Sequence, residues 1–389
     1  MAGRENGYTG RECPMNRRDL LRLVGGGACA LGLGRAAGSP AEAYAQEARK
    51  GFTNPVPAPF FTQLGGGRIR CDLCPHLCQM PPGERGRCRV RENRGGRGYT
   101  LSHGNPCVVQ LEPVERKPFF HVVPGSRSFS VATAGCNLEC GFCEVWDTAL
   151  VGPEDVHAFD LPPATIVEKA RESGARSVAY TFGEPVVFFE YMEGIAALAR
   201  REGLLSLMHS AGFINPEPLE RLIPVMDGAN IDLKGFDSGF YRRVTGGELA
   251  PVLETLKALK TAGVHLEITN ILVPTLNDDM GTIRRMCGWI ASELGPDTPL
   301  HFSRFYPLYK LANLPPTPVS TLNQARASAM EEGLRFVYVA KVPGHEGENT
   351  ICPGCREMVI RRMGFMVEEM RVVEGKCDRC GEPIPGIWA

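Results

Sequence analysis

The chain has neither a strong excess of charge nor a long apolar segment. Its 389 residues carry 43 lysines and arginines against 44 aspartates and glutamates, so nothing in the composition indicates nucleic-acid binding. The apolar stretch that ends near Leu33 is shorter than the about 20 residues of a stable membrane-spanning helix, and no other segment could cross a bilayer. A content of 43% hydrophobic and 22% charged residues is typical of a globular protein, here long enough for a main domain with appendages.

The first 45 residues have the pattern of an export signal. Arg17-Arg18 precedes the apolar stretch, and Ala43-Tyr44-Ala45 offers a small-x-small cleavage site. The paired arginines resemble a twin-arginine signal, a route that carries folded, cofactor-loaded proteins. We therefore expect residues 1–45 to direct the chain to a periplasmic or other extracytoplasmic location. A basic leader on a cytoplasmic protein is the alternative.

Cysteine is abundant, with 15 residues, and most of these fall into three clusters. Thiols two or three residues apart converge on one metal, whereas a disulfide between them is strained, so the clusters predict metal sites. The clusters are Cys71/Cys74/Cys78/Cys88, Cys136/Cys140/Cys143 and Cys352/Cys355/Cys377/Cys380.

Strand-like and helix-like segments alternate between residues 126 and 342. The pattern predicts strands at 129–133, 177–181, 204–209, 229–233, 264–270, 300–305 and 336–340. It predicts helices at 164–173, 188–201, 217–223, 251–261, 282–292 and 322–332. This order implies an α/β fold with parallel strands and right-handed crossovers, a partial or complete barrel whose chemistry gathers at the carboxyl ends of the strands.

Three further segments flank this predicted barrel at 126–342. Residues 46–67, punctuated by proline and glycine, are expected to form a linker. Residues 68–125 form an N-terminal cysteine-rich segment with room for little regular structure. Residues 343–389 form a C-terminal metal-binding tail.

The central triplet, Cys136, Cys140 and Cys143, directly follows the first predicted strand as C-x3-C-x2-C. Three thiolates with no fourth nearby leave one iron of a four-iron cluster open to a substrate. Phe142 places an aromatic face beside that iron. For a bare triplet, a structural zinc knuckle or a simple electron-transfer cluster is the alternative.

The spacing, the aromatic position and the strand-end location together resemble the radical S-adenosylmethionine (SAM) superfamily. The resemblance implies a partial (β/α)6-type barrel with a 4Fe–4S cluster on Cys136, Cys140 and Cys143. It implies that the cluster reductively cleaves SAM to a 5′-deoxyadenosyl radical, which abstracts hydrogen from a substrate. A low-potential electron donor of the flavodoxin or ferredoxin type is implied as the partner.

Two strand ends resemble the SAM-binding elements of this family. Gly183-Glu184-Pro185 looks like the Gly-Gly-Glu-Pro element that supports the cofactor's ammonium group, with Phe182 in place of the first glycine. Ser210-Ala211-Gly212 lies where relatives often have Thr-Asn-Gly, and Ala211 removes an amide side chain.

Two later strands supply further candidates for cofactor binding. Asp232-Leu233-Lys234 is similar to a triplet in activating enzymes of glycyl-radical proteins, where Lys234 suits the cofactor carboxylate as a point charge. A solvent-exposed pair at the strand end is the alternative for Asp232 and Lys234. His301 could face the cavity or be a hydrogen-bonded core histidine.

A closer resemblance covers nearly all of the chain after the leader. It rests on the Cys71–Arg91 block, Glu115-Arg116-Lys117-Pro118, the 135–146 segment, Asp232–Phe236, Ser303-Arg304-Phe305 and Pro343–Thr350. These blocks look like the radical enzyme of the AmmeMemoRadiSam system, related to pyruvate formate-lyase activating enzymes. The resemblance implies an activase-like oxidoreductase acting on a partner protein or a small molecule. An exported multi-cluster electron carrier is the alternative function.

The flanking cysteines predict additional metal. Cys352-x2-Cys355 and Cys377-x2-Cys380 have the arrangement of a zinc ribbon, with an auxiliary iron–sulfur cluster as the alternative. The uneven spacing of Cys71, Cys74, Cys78 and Cys88 could hold zinc or a second cluster, or leave some thiols free.

Overall fold

The strands and helices alternate along the chain as the sequence pattern predicts. The computed structural model describes residues 47–388. The predicted export signal at 1–45 lies outside the described residues and stays a prediction. Within 47–388, none of the helices combines the length and the apolar character that crossing a bilayer requires.

The structure contains 21 strands and eight α-helices within the described residues. The strands are β1 (Arg49–Lys50), β2 (Val56–Pro57), β3 (Phe61–Gly65), β4 (Arg68–Cys71), β5 (Gln79–Met80), β6 (Arg91–Arg94), β7 (Arg97–Thr100), β8 (Val108–Pro113), β9 (Arg127–Ala132), β10 (His157–Ala158), β11 (Ser177–Tyr180), β12 (Leu205–Ser210), β13 (Gly228–Asp232), β14 (His265–Leu272), β15 (Leu300–Arg304), β16 (Val337–Ala340), β17 (Thr350–Ile351), β18 (Met358–Met363), β19 (Met366–Met370), β20 (Val372–Val373) and β21 (Lys376–Cys377). The α-helices are α1 (Trp146–Ala149), α2 (Pro163–Glu172), α3 (Phe189–Arg201), α4 (Pro216–Leu222), α5 (Ser238–Phe240), α6 (Leu249–Thr261), α7 (Met280–Trp289) and α8 (Val319–Glu331). Two π-helical turns follow α5 and α7, at Tyr241–Thr245 and Ile290–Leu294.

The main sheet has eight strands in the order β16-β15-β14-β13-β12-β11-β9-β8. All neighbouring pairs from β9 to β16 are parallel, and β8 is antiparallel to β9 at one edge. The strands between the edges are buried on both faces, as expected for a parallel sheet covered by crossover helices. The predicted α/β fold of the partial-barrel type is confirmed, and the barrel is open because β8 and β16 form its two separate edges.

The helices that cover the sheet are amphipathic, as α3 illustrates. Its buried residues include Phe189, Met192, Ile195, Ala196 and Ala199, which recur at intervals of three and four. This spacing places them on one face of a helix with 3.6 residues per turn, and that face packs on the sheet. The predicted helix at 188–201 therefore begins and ends within one residue of the observed one.

The N-terminal region is more ordered than the sequence indicated. Residues 46–67 were expected to form a linker, but β1, β2 and β3 lie there and pair with β10, β7 and β4. The segment 68–125, expected to have little regular structure, contains β4 to β8, and β8 belongs to the main sheet. The prolines and glycines mark turns between short strands. β3 pairs with the neighbouring β4, whereas the partners of β1 and β2 lie far along the chain.

A buried carboxylate, Glu267, lies at the floor of the barrel, the layer at the amino-terminal ends of the parallel strands. Oε2 of Glu267 on β14 accepts hydrogen bonds from Phe120 N (3.1 Å) and His301 Nε2 (2.6 Å). Its Oε1 accepts from His121 N (2.9 Å) and His265 Nε2 (3.1 Å). Each carboxylate oxygen therefore accepts from two donors. The bonds from Phe120 and His121 hold the segment after β8 against the amino-terminal ends of the strands.

The C-terminal tail shares a core with this floor. Cys352, Ile360 and Cys377 of the tail pack with Phe120 and Tyr338 of the barrel in one buried cluster. The segment 358–373 contains little that could bury a core alone, so metal is expected to supply folding energy to the tail. In the structure the barrel supplies part of the apolar surroundings as well.

We predict that Glu267→Gln destabilises the protein by about 2 kcal/mol or more, because its amide nitrogen replaces an oxygen that accepts from two buried donors. Burial alone would raise the pKa of Glu267, but the hydrogen bonds from His265 and His301 bring it well below its usual range. The unfolded value is about 4.3, so the carboxylate stabilises the native state above that pH, and this stabilisation is lost as the pH falls through the lower folded value.

Urea unfolding at several pH values measures both effects. The exposed Glu220→Gln is the matched control and should leave the free energy of unfolding nearly unchanged. Equal stabilities for Glu267→Gln and the wild type at neutral pH would contradict the role given to this carboxylate.

Candidate active site

The three central cysteines lie on the loop between β9 and α1, at the carboxyl end of the first parallel strand. Cys140 is buried, and Cys136 and Cys143 are half-buried. The backbone N–H of Leu138 donates to Cys136 Sγ at 3.3 Å. The loop therefore occupies the place in the fold where a barrel of this type carries its chemistry.

Neighbouring backbone holds the cysteine loop in shape. The N–H of Glu139 donates to the carbonyl of Thr245 at 2.7 Å, and the N–H of Gly141 donates to the carbonyl of Val244 at 2.9 Å. Both carbonyls belong to the π-helical turn Tyr241–Thr245, after β13. The positions of the thiols consequently depend on a segment about 100 residues further along the chain.

Burial raises the pKa of all three thiols. For Cys140 it raises the pKa to about 12, although the ammonium of Lys234 acts to lower it. The pKa of Cys136 lies well above its usual value because of burial and the carboxylate of Glu184. Such thiols are poor free nucleophiles, whereas a bound cation favours their thiolate form, so the triplet suits a metal cluster.

Glu184 links the ends of β11 and β12. Its Oε1 accepts from Ser210 Oγ at 2.6 Å and from Val186 N at 3.1 Å, and its Oε2 accepts from Ala211 N at 2.8 Å. Burial raises the pKa of Glu184, and these hydrogen bonds act in the opposite direction. The predicted residues Glu184 and Ser210 are therefore in direct contact.

The turn before Glu184 keeps the shape that glycine would favour. Phe182 has a φ of 59°, in the left-handed region, although it is not a glycine. A Cβ at the next residue, Gly183, would lie 3.2 Å from the carbonyl oxygen of Thr133, so the two strand-end turns approach closely. Lys117 Nζ lies 4.3 Å from the centre of the Phe182 ring, a cation–π contact that helps to fix this strained residue.

Asp232 and Lys234 form an ion pair at the end of β13, in the mouth of the barrel, the layer at the carboxyl ends of the parallel strands. Lys234 Nζ donates to Asp232 Oδ2 at 2.6 Å, and His209 Nε2 lies 3.0 Å from Asp232 Oδ1. His209 Nδ1 in turn lies 3.3 Å from Thr181 Oγ1. Burial alone would raise the pKa of Asp232, but the charges of Lys234 and His209 bring it well below its usual range. Burial alone would lower the pKa of Lys234, but the carboxylate of Asp232 brings it well above its usual range.

His209 is the participant that sequence reasoning missed. A single histidine on a strand carries no motif, and its importance appears only when β12 and β13 are paired. One weak signal was available: His209 directly precedes the predicted site residue Ser210, at the carboxyl end of a predicted strand, where a fold of this type gathers its chemistry.

Phe142, in the cysteine loop, lies near the ion pair. It is buried, and its ring centre is 6.3 Å from that of Phe240 and 5.9 Å from Lys234 Nζ. The predicted aromatic face is therefore beside both the cysteine loop and the predicted cofactor-binding lysine.

Two predicted site residues occupy structural positions. Pro185 is buried at the first position of a 3-10 helix, Pro185–Phe188, where a proline fits the chain direction. His301 is fully buried in the floor, hydrogen-bonded to Glu267 and stacked on Tyr338 with ring centres 5.0 Å apart. The geometry of His301 matches the core-histidine alternative rather than a cofactor contact.

The C-terminal cysteines converge on one point. The ligand atoms of all four lie within 4.8 Å of one another, with Sγ–Sγ distances of 3.6 Å for Cys352–Cys380 and 3.7 Å for Cys355–Cys377. Four zinc–sulfur bonds of about 2.3 Å in a tetrahedron place the sulfurs about 3.8 Å apart. The arrangement therefore fits a single tetrahedral ion.

The N-terminal cysteines also come together. Cys71, Cys74, Cys78 and Cys88 line one small cavity on the barrel side of the N-terminal region. His76 lies between them in sequence, and its Nε2 is 2.7 Å from the carbonyl oxygen of Asn137 in the loop of the central triplet.

Comparison with protein families identifies the central domain. A model described as the radical SAM superfamily matches residues 130–287, which span β9 to α7 and contain the triplet. The chain belongs to the radical SAM superfamily. This membership implies a 4Fe–4S cluster and SAM as cofactors, and it gives no support to the alternative of an electron carrier that uses no SAM.

Curated relatives extend this radical SAM assignment. An uncharacterized protein of Methanocaldococcus jannaschii is 41% identical over 329 residues, covering 84% of this chain and 98% of the relative. A pyruvate formate-lyase-activating enzyme of Clostridium pasteurianum is 27% identical over 43% of this chain and 70% of its own length. The pyruvate formate-lyase 1-activating enzyme of Escherichia coli K12 is 22% identical over 55% of this chain and 93% of its own length. The radical SAM chain is thus homologous to pyruvate formate-lyase activating enzymes.

Solved structures give a weaker likeness. A domain of a pyruvate formate-lyase-activating enzyme from Bacteroides vulgatus aligns with 42% of this radical SAM chain and 98% of its own, at 16% identity and a TM-score of 0.38. The family assignment rests on the sequence matches.

We predict that Lys234→Met destabilises this radical SAM protein by about 2–3 kcal/mol, because it leaves the largely buried Asp232 carboxylate with His209 as its remaining partner. The double variant Asp232→Asn/Lys234→Met removes both charges and should recover most of the loss. Chemical unfolding of the reconstituted proteins measures the difference. Equal stability of the single and double variants would show that the two side chains are not coupled.

We expect the C-terminal cysteines to hold about one zinc ion per chain without acid-labile sulfide. Cys355→Ser should lower the zinc content and the melting temperature together, since the metal and the shared core stabilise the same tail. Elemental analysis of anaerobically purified protein tests this, with Cys287→Ser, a buried thiol on α7, as the control. Zinc well below one per chain in the wild type would overturn the assignment.

Proposed function

We propose that this protein is a radical SAM enzyme that generates a 5′-deoxyadenosyl radical at a 4Fe–4S cluster held by Cys136, Cys140 and Cys143. The observation that carries the proposal is the set of charged groups beside the cysteine loop. Glu184 is held by Ser210 and Ala211 at the end of β12. Lys234 is held by Asp232 at the end of β13, with its Nζ 5.9 Å from the ring centre of Phe142 in the loop. Two carboxylates and an ammonium beside three soft ligands suit a cofactor whose methionine part carries both an amino and a carboxylate group.

The residues present fit this cofactor pair. When bound, the cluster supplies one electron to the sulfonium of SAM, and the adenosyl radical so released takes a hydrogen atom from the substrate. Glu184, fixed by Ser210 and the N–H of Ala211, would receive the cofactor's ammonium side. Lys234, held by Asp232, would bind the carboxylate.

Burial strengthens these contacts. Glu184 and Ser210 are 3% and 2% exposed, so little water competes for their hydrogen bonds. Asp232 restrains the ammonium of Lys234, and His209 restrains Asp232 from the other side. A flexible lysine is thereby held in one position before the cofactor arrives, which lowers the entropy lost on binding.

Exposed side chains beside the cysteine loop support an activase-like reaction on a partner protein, with a small molecule as the second candidate substrate. The rings of Trp146 and Tyr309 stack there with centres 5.3 Å apart, and Trp146 is 43% exposed. Lys341 Nζ, beyond β16, bonds Glu144 of the cysteine loop at 2.5 Å across the open side of the barrel. The blocks resembling the radical enzyme of the AmmeMemoRadiSam system agree with this proposal, and a flavodoxin or ferredoxin type of donor would supply the electron.

We predict that anaerobically reconstituted protein forms 5′-deoxyadenosine from SAM when dithionite is added, and that Cys140→Ala abolishes the product. The substitution removes one of the three ligands, so the cluster that delivers the electron is lost with it. Liquid chromatography of the quenched reaction measures the product, and the change of the absorption spectrum when SAM is added reports the cluster that binds it.

Cys287→Ala is the matched control, because it removes a buried thiol on α7, outside all three cysteine clusters, and should leave product formation intact. Absence of 5′-deoxyadenosine from wild-type protein with an intact, reducible cluster would overturn the proposal.

A further inference from the structure

The N-terminal cysteines form a ligand set with its own architecture. Cys71 ends β4, Cys74 and Cys78 lie in the turn before β5, and Cys88 lies in the loop before β6. The N–H of Cys71 donates to the carbonyl of Cys78 at 2.9 Å and closes the turn. Four thiols from three separate segments thus surround one cavity.

Backbone amides lie at a constant offset from three cysteines of this set. The amides of Leu73, His76 and Val90 follow Cys71, Cys74 and Cys88 by two residues, and each acts to lower the pKa of its thiol. In the central triplet the N–H of Leu138, at the same offset from Cys136, donates to Cys136 Sγ at 3.3 Å. Amide hydrogen bonds of this kind stabilise the sulfurs of metal-bound thiolates and tune iron–sulfur clusters.

A buried cation lines the same cavity. Arg91 is 1% exposed, and its charge acts on Cys71 and Cys88. It bonds Glu190 at 2.7 Å and the carbonyl of Pro59, but its Nε has no partner among the residues that the structure describes. A buried guanidinium with a spare donor beside four thiols is the environment that an anionic, thiolate-ligated metal centre requires.

The spacing of the sulfurs distinguishes a cluster from a single ion. Within residues 47–388, the C-terminal cysteines are the only group that brings three or more ligand atoms within 4.8 Å of one another. Zinc would require sulfurs about 3.8 Å apart. The N-terminal set is more widely spaced, like the central triplet, and a four-iron cluster, which binds each thiolate to a different iron, needs that wider spacing.

We propose that Cys71, Cys74, Cys78 and Cys88 bind a second 4Fe–4S cluster, ligated by all four thiolates, next to the loop of the central triplet. The two sites are in contact through His76 and Asn137, and the N–H of Asn215 donates to the carbonyl of Leu73 at 3.1 Å. A Cβ on Gly135, directly before Cys136, would lie 2.7 Å from the carbonyl oxygen of Cys88. Since four cysteines saturate its irons, the second cluster has no site for SAM.

The decisive experiment uses the full chain with the central triplet removed. The variant Cys136→Ala/Cys140→Ala/Cys143→Ala, reconstituted anaerobically, should retain about four irons and four sulfides per chain, against about eight of each in the wild type. Its Mössbauer and absorption spectra should not change when SAM is added. Adding Cys74→Ala and Cys88→Ala should remove the remaining iron and sulfide, whereas adding Cys287→Ala should not.

A second measurement covers the case in which the triplet variant does not fold. Cys74→Ala/Cys88→Ala in the otherwise wild-type chain should halve the iron and sulfide content while the SAM-responsive cluster remains. The proposal is overturned if the wild type holds only about four irons, if the folded triplet variant holds no sulfide, or if zinc rather than iron leaves with Cys74 and Cys88. These results do not depend on SAM cleavage, so they separate this inference from the proposed function.

Discussion

A loop without regular secondary structure has to keep three sulfur atoms in fixed positions, and the rest of the site depends on this. The loop between β9 and α1 has few bonds within itself, such as that from Cys143 N to the carbonyl of Cys140 at 3.1 Å, and relies on backbone bonds to other segments. The π-helical turn after β13 accepts from Glu139 and Gly141, and Asn137 donates through its side chain to the carbonyl of Phe213. The triplet is therefore positioned by strands and turns that are distant in sequence, which couples assembly of the site to completion of the fold.

Buried charge in this protein is consistently paired, and the pairs define two layers of the barrel. At the mouth, Lys234 is bonded to Asp232, and Asp232 to His209. At the floor, Glu267 accepts four hydrogen bonds, two of them from backbone amides of the segment beneath the strands. The floor layer fixes the strands, while the mouth layer leaves an ammonium and a carboxylate beside the thiols. Desolvation makes both layers costly unless every partner is present, so the polar arrangement is specific.

The sequence predicted the features that depend on local chemistry. The β/α alternation could be followed because each helix has one apolar face and each central strand is short and apolar. The triplet could be interpreted because its three cysteines lie within eight residues. The strands β1 and β2 could not be foreseen, since Arg49 pairs with Ala158 and Val56 with Thr100, far along the chain. The hairpin of β3 and β4 is local, and the glycines at 65–67 were its signal in the sequence. The roles of His209 and His301 were equally hidden, because Asp232 and Glu267, which bind them, lie on other strands.

The central claim is that the cluster on Cys136, Cys140 and Cys143 has one iron reserved for SAM. Electron–nuclear double resonance on the reduced protein, with SAM carrying ¹⁵N in its amino group, tests this directly. The account predicts a hyperfine coupling between the cluster and that nitrogen. The coupling should disappear in Cys140→Ala, in which Lys234 is unchanged. A reduced cluster that shows no coupling to the labelled SAM, with all four irons bound by side chains of the protein, would contradict it.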